Sequence, residues 1–177
     1  MKKNLVSVFT LAFMLVVAVT FAHSADTGLS SKDKKFIKEA ASDGIFEVLL
    51  GQIAQERGES QGVKDFGSLM VTDHGKSNAE LNQIAKKNNM TVSDQLDAKD
   101  KKTIDRLLKL TGADFDSEYI KAMVKDHKKD SAAFKKAIRE LKDPDLKNFA
   151  LKTEQVIDGH LKQAEYLASK FGLKKSW

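Results

Sequence analysis

The sequence predicts an all-α protein: four long helices packed as a bundle, with a long connection carrying a short helix between the second and third. Three observations carry this. Apolar residues recur at spacings of three and four through four stretches of the chain, and no segment shows sustained alternation of apolar and polar residues. Gly, Asn and the single Asp-Pro pair fall where those stretches end. The four periods are also matched in length, roughly 28 residues each, which at 1.5 Å per residue gives helices of about 42 Å.

The chain of 177 residues is long enough for one domain with a real core. It opens as a signal peptide over residues 1–24. Lys2 and Lys3 precede an apolar run from Leu5 to Phe21, and Ala22 and Ser24 supply small residues before a cleavage point after Ser24. The run is short for a membrane span, which takes about 20 residues. Residues 25–30 form a mobile leader, residues 31–172 the bundle domain and residues 173–177 a tail. In the first helix, Ser30 or Ser31 is the cap, the core face is Ile37, Ala41, Gly44, Val48 and Gly51 or Gln52, and Gly58 fits the left-handed closing residue. The second runs from near Ser60 to Asn88-Asn89, with Val63, Phe66, Met70, His74, Leu81 and Ile84 on one stripe.

Between Asn89 and Asp114 lies the long connection, in which Asp97 to Leu110 reads as a short amphipathic helix led by Ile104, Leu107 and Leu108. The third long helix starts at Asp114 or Asp116 and ends at Leu141, with Ile120, Met123, His127, Phe134, Ile138 and Leu141 as its stripe. Asp143 then caps the fourth, Pro144 takes its first position, and Gly172 closes it. Its apolar face is Phe149, Val156, His160, Ala164, Leu167 and Phe171. Tight first and third connections make their helices antiparallel neighbours. The middle one is long enough to run back along the bundle, which is the ferritin-like connection.

Composition excludes several classes. There is no cysteine, which removes disulfides, thiolate metal sites and lipid attachment at a processed cysteine. The net charge of +5 falls to +3 when Lys2 and Lys3 leave with the signal. Basic and acidic residues interleave, as in Asp97–Lys102 and Lys125–Asp130, which suits a solvated helical surface rather than a nucleic-acid patch. No nucleic-acid partner is therefore expected, and a transmembrane barrel is excluded by the lack of alternating segments. No nucleophile elbow, Gly-rich phosphate loop or His-Glu-x-x-His is present.

The feature that points to chemistry is a repeat: Met70-Val71-Thr72-Asp73-His74 returns as Met123-Val124-Lys125-Asp126-His127. His74, His127 and His160 all fall near the midpoints of their helices and on the core side. Matched helices share one layer at mid-length whichever way each runs. On the first helix the side chain nearest that layer is Glu47. Three imidazoles and a carboxylate suit Zn, Cu, Ni or Fe. Asp73, Asp126 and Asp158 lie beside or near the histidines and either accept hydrogen bonds from imidazoles or form surface salt bridges. Met70 and Met123, one turn before their histidines, are either core filler or thioether ligands. The competing reading is a His/Glu/Asp hydrogen-bond layer that only fixes helix register.

From about Ser31 to Gly172 the chain resembles an exported bacterial family of ferritin-like bundles, domain of unknown function 4142, whose members are sometimes labelled putative outer membrane proteins. The resemblance rests on Gly44-Ile45-Phe46-Glu47-Val48, the two Met-Val-x-Asp-His elements, Phe115-Asp116 with Tyr119, and His160. It implies a fold and an export route but no reaction. Di-iron proteins of ferritin type need Glu-x-x-His, and the residues three before the histidines are Val71, Val124 and Ile157, which argues against ferroxidase or oxygenase chemistry. The expectation is a periplasmic protein that binds rather than catalyses, holding a metal at the His/Glu layer. The alternative is a structural or stress-related interaction protein of the envelope, with an envelope protein as partner. A mononuclear redox enzyme is a third option, and oligomeric state is open.

Overall fold

The computed structural model describes residues 28–93 and 95–173. The expected signal peptide, the leader through residue 27 and the tail from residue 174 lie outside the described residues. Among the described residues there are five helices and no strand: α1 (Ser31–Arg57), α2 (Gln61–Lys87), α3 (Ala98–Leu107), α4 (Gly112–Glu140) and α5 (Pro144–Lys170). None of them is long and apolar enough to cross a membrane.

Local chemistry sets the ends. Ser30 and Asp33 form a capping box on α1, each side chain bonding the other residue's backbone N–H. Asp143 caps α5 through the Leu146 N–H, and Pro144 occupies the first turn. The α2 and α5 ends are left-handed closures of one kind: Asn89 (φ 53°) and Gly172 (φ 66°) take the left-handed position. In α2 the Met90 N–H bonds Ala85 O at 2.8 Å and the Asn89 N–H bonds Lys86 O at 3.0 Å; Leu173 and Gly172 repeat the pattern on Ala168 and Ser169.

Two ends differ from expectation. Gly58 is not left-handed; it is extended, with φ −54° and ψ 136°. Its glycine answers to space instead, because a Cβ there would meet Ala54 O at 2.7 Å. And α4 begins at Gly112 rather than Asp114 or Asp116. Asp116 therefore lies inside the helix, and its carboxylate is free to accept the Glu59 and Ser60 N–H groups at 2.9 and 2.8 Å, in the turn between α1 and α2.

That contact also gives the direction of travel. Asp116 puts the start of α4 beside the α1–α2 turn, while Asp33 at the start of α1 accepts the Lys142 N–H at 3.0 Å, just after α4 ends. So α4 runs antiparallel to α1, and the segment containing α3 has carried the chain back along the bundle. Arg57 bonds Leu108 O at 3.1 Å, and Arg106 pairs with Glu118, fixing that segment against α1 and α4. Helix α1 packs along α2 and α4 along α5, and the two pairs meet where α2 touches α5 and α1 touches α4.

The core is in two apolar parts. One gathers Phe36, Ile37, Leu81, Phe134, Leu146 and Phe149; the other Leu50, Phe66, Met70, Phe115, Ile120 and Met123. The α2 stripe is buried as expected. On α1 and α5 the buried face is rotated from the expected one: Val48 and Val156 are only partly buried, while Phe46, Leu50 and Ile157 are buried. On α3, Leu107 is buried but Leu108 is exposed. These helices carry apolar residues in adjacent pairs, so spacing alone leaves the face ambiguous by one position.

Candidate metal centre

Between the two apolar parts lies a polar layer. His74 falls between Met70 and Leu81 on α2, His127 between Val124 and Phe134 on α4, His160 between Ile157 and Ala164 on α5, and Glu47 between Ala41 and Leu50 on α1. All four are buried: 3% exposed for Glu47, His74 and His160, and 0% for His127. The imidazole centroids are 5.1 Å (His74–His160), 5.6 Å (His74–His127) and 5.6 Å (His127–His160) apart. One ring nitrogen from each histidine lies within 4.8 Å of the others.

Glycines bring α1 and α2 close enough for this. A Cβ on Gly51 would stand 2.7 Å from Gly67 O, and one on Gly67 would stand 2.6 Å from Gly51 O. Backbone thus meets backbone one turn from Glu47, and the short gap lets its carboxylate reach His74 directly. A continuous chain of contacts follows. Asp73 Oδ2 lies 3.0 Å from His160 Nε2, His160 Nδ1 lies 3.2 Å from His74 Nε2, and His74 Nδ1 lies 2.7 Å from Glu47 Oε2.

The proton order follows from these partners. Burial pushes the Glu47 carboxyl well above the usual carboxylate range, and the charges of Asp126 and Asp43 add to the shift. Burial likewise lowers His74 and His160 to about 4, and holds His127 well below its ordinary value with help from His74 and His160. All three imidazoles are therefore neutral near pH 7. Half-buried Asp73 accepts from His160 Nε2–H, so His160 Nδ1 accepts from His74 Nε2–H. His74 Nδ1 then takes the hydrogen of the protonated Glu47. His127 Nδ1–H donates to Met123 O at 3.1 Å. That leaves the His127 Nε2 lone pair facing Glu47 Oε1 at 3.5 Å, and neither atom has a hydrogen bond. Two buried acceptors facing each other are uncompensated, and either a proton between them or a bound cation would satisfy both.

The same arrangement fits a transition metal among the imidazoles. With His74 in its other tautomer, each far ring nitrogen faces an acceptor: Asp73 for His160, Glu47 for His74 and the Met123 carbonyl for His127. Such outer acceptors orient ligating imidazoles. Three nitrogens with a carboxylate nearby match Zn, Cu, Ni or Fe.

The other singled-out residues fall differently. Asp73 meets His160, and Asp126 turns inward near Glu47 and His127 with a buried, unbonded Oδ2. Asp158 is on the surface, paired with Lys162 at 2.8 Å. Met70 and Met123 are fully buried in the adjoining apolar core, and it is the backbone carbonyl of Met123 that reaches a histidine. Sequence reasoning missed Asp130 and the Tyr119 hydroxyl. Asp130 is 2% exposed; neither oxygen has a hydrogen bond, and Lys129 Nζ lies 3.5 Å from Oδ1, while the buried Tyr119 hydroxyl has no hydrogen-bond partner. Asp130 was findable, since it sits three residues after His127 on the same helical face. A cavity of about 10 Å³ lined by Glu47, His74, Asp130 and Asn78 lies beside the layer.

No curated protein and no solved structure matches the chain significantly. Residues 18–167 match the family described as domain of unknown function (DUF4142), and the chain belongs to that family.

Proposed function

We propose that this protein is an exported, ferritin-like four-helix bundle whose role is to bind a transition metal ion through His74, His127 and His160, with Glu47 completing the set. The observation that carries the reading is the paired environment of each imidazole. One nitrogen faces the common centre and the other faces Glu47, Asp73 or the Met123 carbonyl. The ring of helix contacts and the return connection support the ferritin-like topology. Export to the periplasm, with cleavage after Ser24, is supported by the sequence of residues 1–24 alone. The bound ion belongs to the Zn, Cu, Ni or Fe group. When bound it supplies a Lewis-acidic or redox-active centre; the chain itself holds the imidazoles neutral, orients them and excludes water from them. The absence of Glu-x-x-His weighs against paired iron.

The test is elemental analysis of untagged protein purified from the periplasm. Wild type is expected to carry about one ion per chain and His74→Ala almost none, the usual result of removing one of three ligands. Metal-free wild type, as stable as the variant, overturns the reading. A second reading has its own support: Asp73, His160, His74 and Glu47 already bond one another in a line. On that reading the layer only fixes helix register in an envelope interaction protein. His127→Leu would then keep the fold and any cellular role.

A further inference from the structure

Three buried acceptor atoms in the layer lack a hydrogen bond and belong to neighbouring residues: Glu47 Oε1, Asp126 Oδ2 and His127 Nε2. One ligand atom from each of these three residues lies within 4.8 Å of the others. The remaining polar atoms of Glu47 and His127 are taken, Glu47 Oε2 by His74 and His127 Nδ1 by the Met123 carbonyl. The open atoms are therefore these, and His127 and Glu47 are 0% and 3% exposed, closed to bulk water.

We infer that Glu47, Asp126 and His127 form a second cation station, built for a harder divalent ion of the Mn2+ class than the three-imidazole centre. The donor set is two carboxylate oxygens and one imidazole nitrogen, against the three nitrogens of the imidazole centre. Carboxylate-rich sets favour Mn2+, imidazole-rich ones Cu2+, Zn2+, Ni2+ and Fe2+. The imidazole nitrogen is what separates Mn2+ from Mg2+, which prefers an all-oxygen shell. Once an ion displaces the Glu47 proton, the two carboxylates balance one divalent cation, and Asp43, whose charge also acts on Glu47 and Asp126, strengthens the attraction. Lys129, hydrogen-bonded to Asp43 at 3.0 Å, tempers it.

A consequence follows from atom counting. His127 has a single free nitrogen, so the two stations share Nε2 and cannot both be filled. The ion's hardness then selects its position, a few ångströms one way or the other within the same layer. The inference rests on the metal-binding reading through the shared Glu47 and His127, and goes beyond it through the unbonded Asp126 Oδ2, which that reading does not use.

The experiment uses metal-free full-length protein titrated with Mn2+ or Zn2+. Mn2+ binding, followed by electron paramagnetic resonance, is expected to weaken about 100-fold or more in Asp126→Asn, beyond the effect of losing an outer partner. It is expected to stay within about 3-fold of wild type in His160→Gln, because His160 is not a ligand there. Zn2+ is expected to show the reverse pattern and to displace Mn2+ one for one. In wild type, pulsed resonance on Mn2+ is expected to show one coupled imidazole nitrogen, a readout independent of any variant's folding. Three coupled nitrogens, equal loss of Mn2+ in His160→Gln, simultaneous Mn2+ and Zn2+, or no Mn2+ binding each overturn the second station. Loss of Zn2+ binding alone, with the Mn2+ pattern intact, overturns only the imidazole centre.

Discussion

Single atoms in the layer have consequences that can be measured without any metal. The Tyr119 hydroxyl is fully buried, close enough to Glu47 for that charge to add to burial in raising it, and has no partner. A buried hydroxyl without a partner costs about 1–3 kcal/mol. Tyr119→Phe, which keeps the ring stacked on Phe115, is therefore expected to be neutral or to gain about 1 kcal/mol. A clear loss in urea unfolding would mean the hydroxyl is bonded after all. Asp130 gives a pH signature. Burial, then the charges of Glu47, Asp126 and Asp43, raise it from 3.8 to about 9, and Lys129 only partly offsets them. A group with a raised folded pKa contributes fully below its unfolded pKa and loses that contribution as pH rises. For Asp130 the window runs from about 4 to about 9, with one proton worth about 1.4 kcal/mol per pH unit. Asp130→Asn, which cannot ionise, is expected to melt above wild type at pH 8 and to lose that advantage towards pH 5. A constant difference across that range would place the proton elsewhere.

Helix-level features explain why Glu47 and His74 meet, and how much of this the sequence could convey. The type of every long helix and the starts of α1, α2 and α5 were legible from spacing and caps, and so was the shared depth of His74, His127 and His160, because that depth tolerates the two- to four-residue error at the start of α4. The rotation of α1 and α5 was not: Phe46, Glu47 and Val48 are consecutive, and only packing against α2 and α4 decides which of them turns inward. Nor was the inward turn of Asp126, which helical geometry alone puts to one side of His127, or the use of Asp116 to bind another turn rather than cap its own helix. The Gly51–Gly67 contact had no sequence signal beyond two glycines. It is nonetheless sharp: Gly51→Ala puts a Cβ 2.7 Å from Gly67 O, with Met70 Cβ at 2.9 Å. Separating the helices is expected to cost about 2–3 kcal/mol and to weaken Zn2+ binding as well, since Glu47 moves away from His74. Asp116→Ala should also cost about 3 kcal/mol, because two amides at the α1–α2 turn lose a charged acceptor. It lies at one end of the bundle, away from the layer, and is expected to leave metal affinity unchanged. Chemical denaturation and Zn2+ titration of the two variants together separate an effect on packing from an effect on the centre.

At the scale of the whole molecule, a polar layer that divides an apolar core is a cost in the metal-free state. Glu47, His74, His127 and His160 come from all four long helices, so an ion bound among them ties every helix to every other at mid-length. Ligand binding to the folded state alone stabilises by RT ln(1 + [L]/Kd), about 2.7 kcal/mol at a free ion concentration of 100 Kd. In a domain of this size about 1 kcal/mol moves the melting temperature 2–4 °C. Wild type is therefore expected to melt about 5–10 °C higher with saturating Zn2+ than after chelation, combining those two estimates. His127→Leu separates the two readings of the layer. It removes the lone pair shared by both metal stations and leaves Asp73, His160, His74 and Glu47 bonded in their line. If the layer exists to hold an ion, the variant loses the Zn2+ shift entirely, and its metal-free form is at least as stable as metal-free wild type, because an uncompensated buried acceptor has been replaced by apolar surface. If the layer exists to fix register, Zn2+ moves neither protein. A shift of equal size in both would put the ion outside the layer and overturn the central assignment.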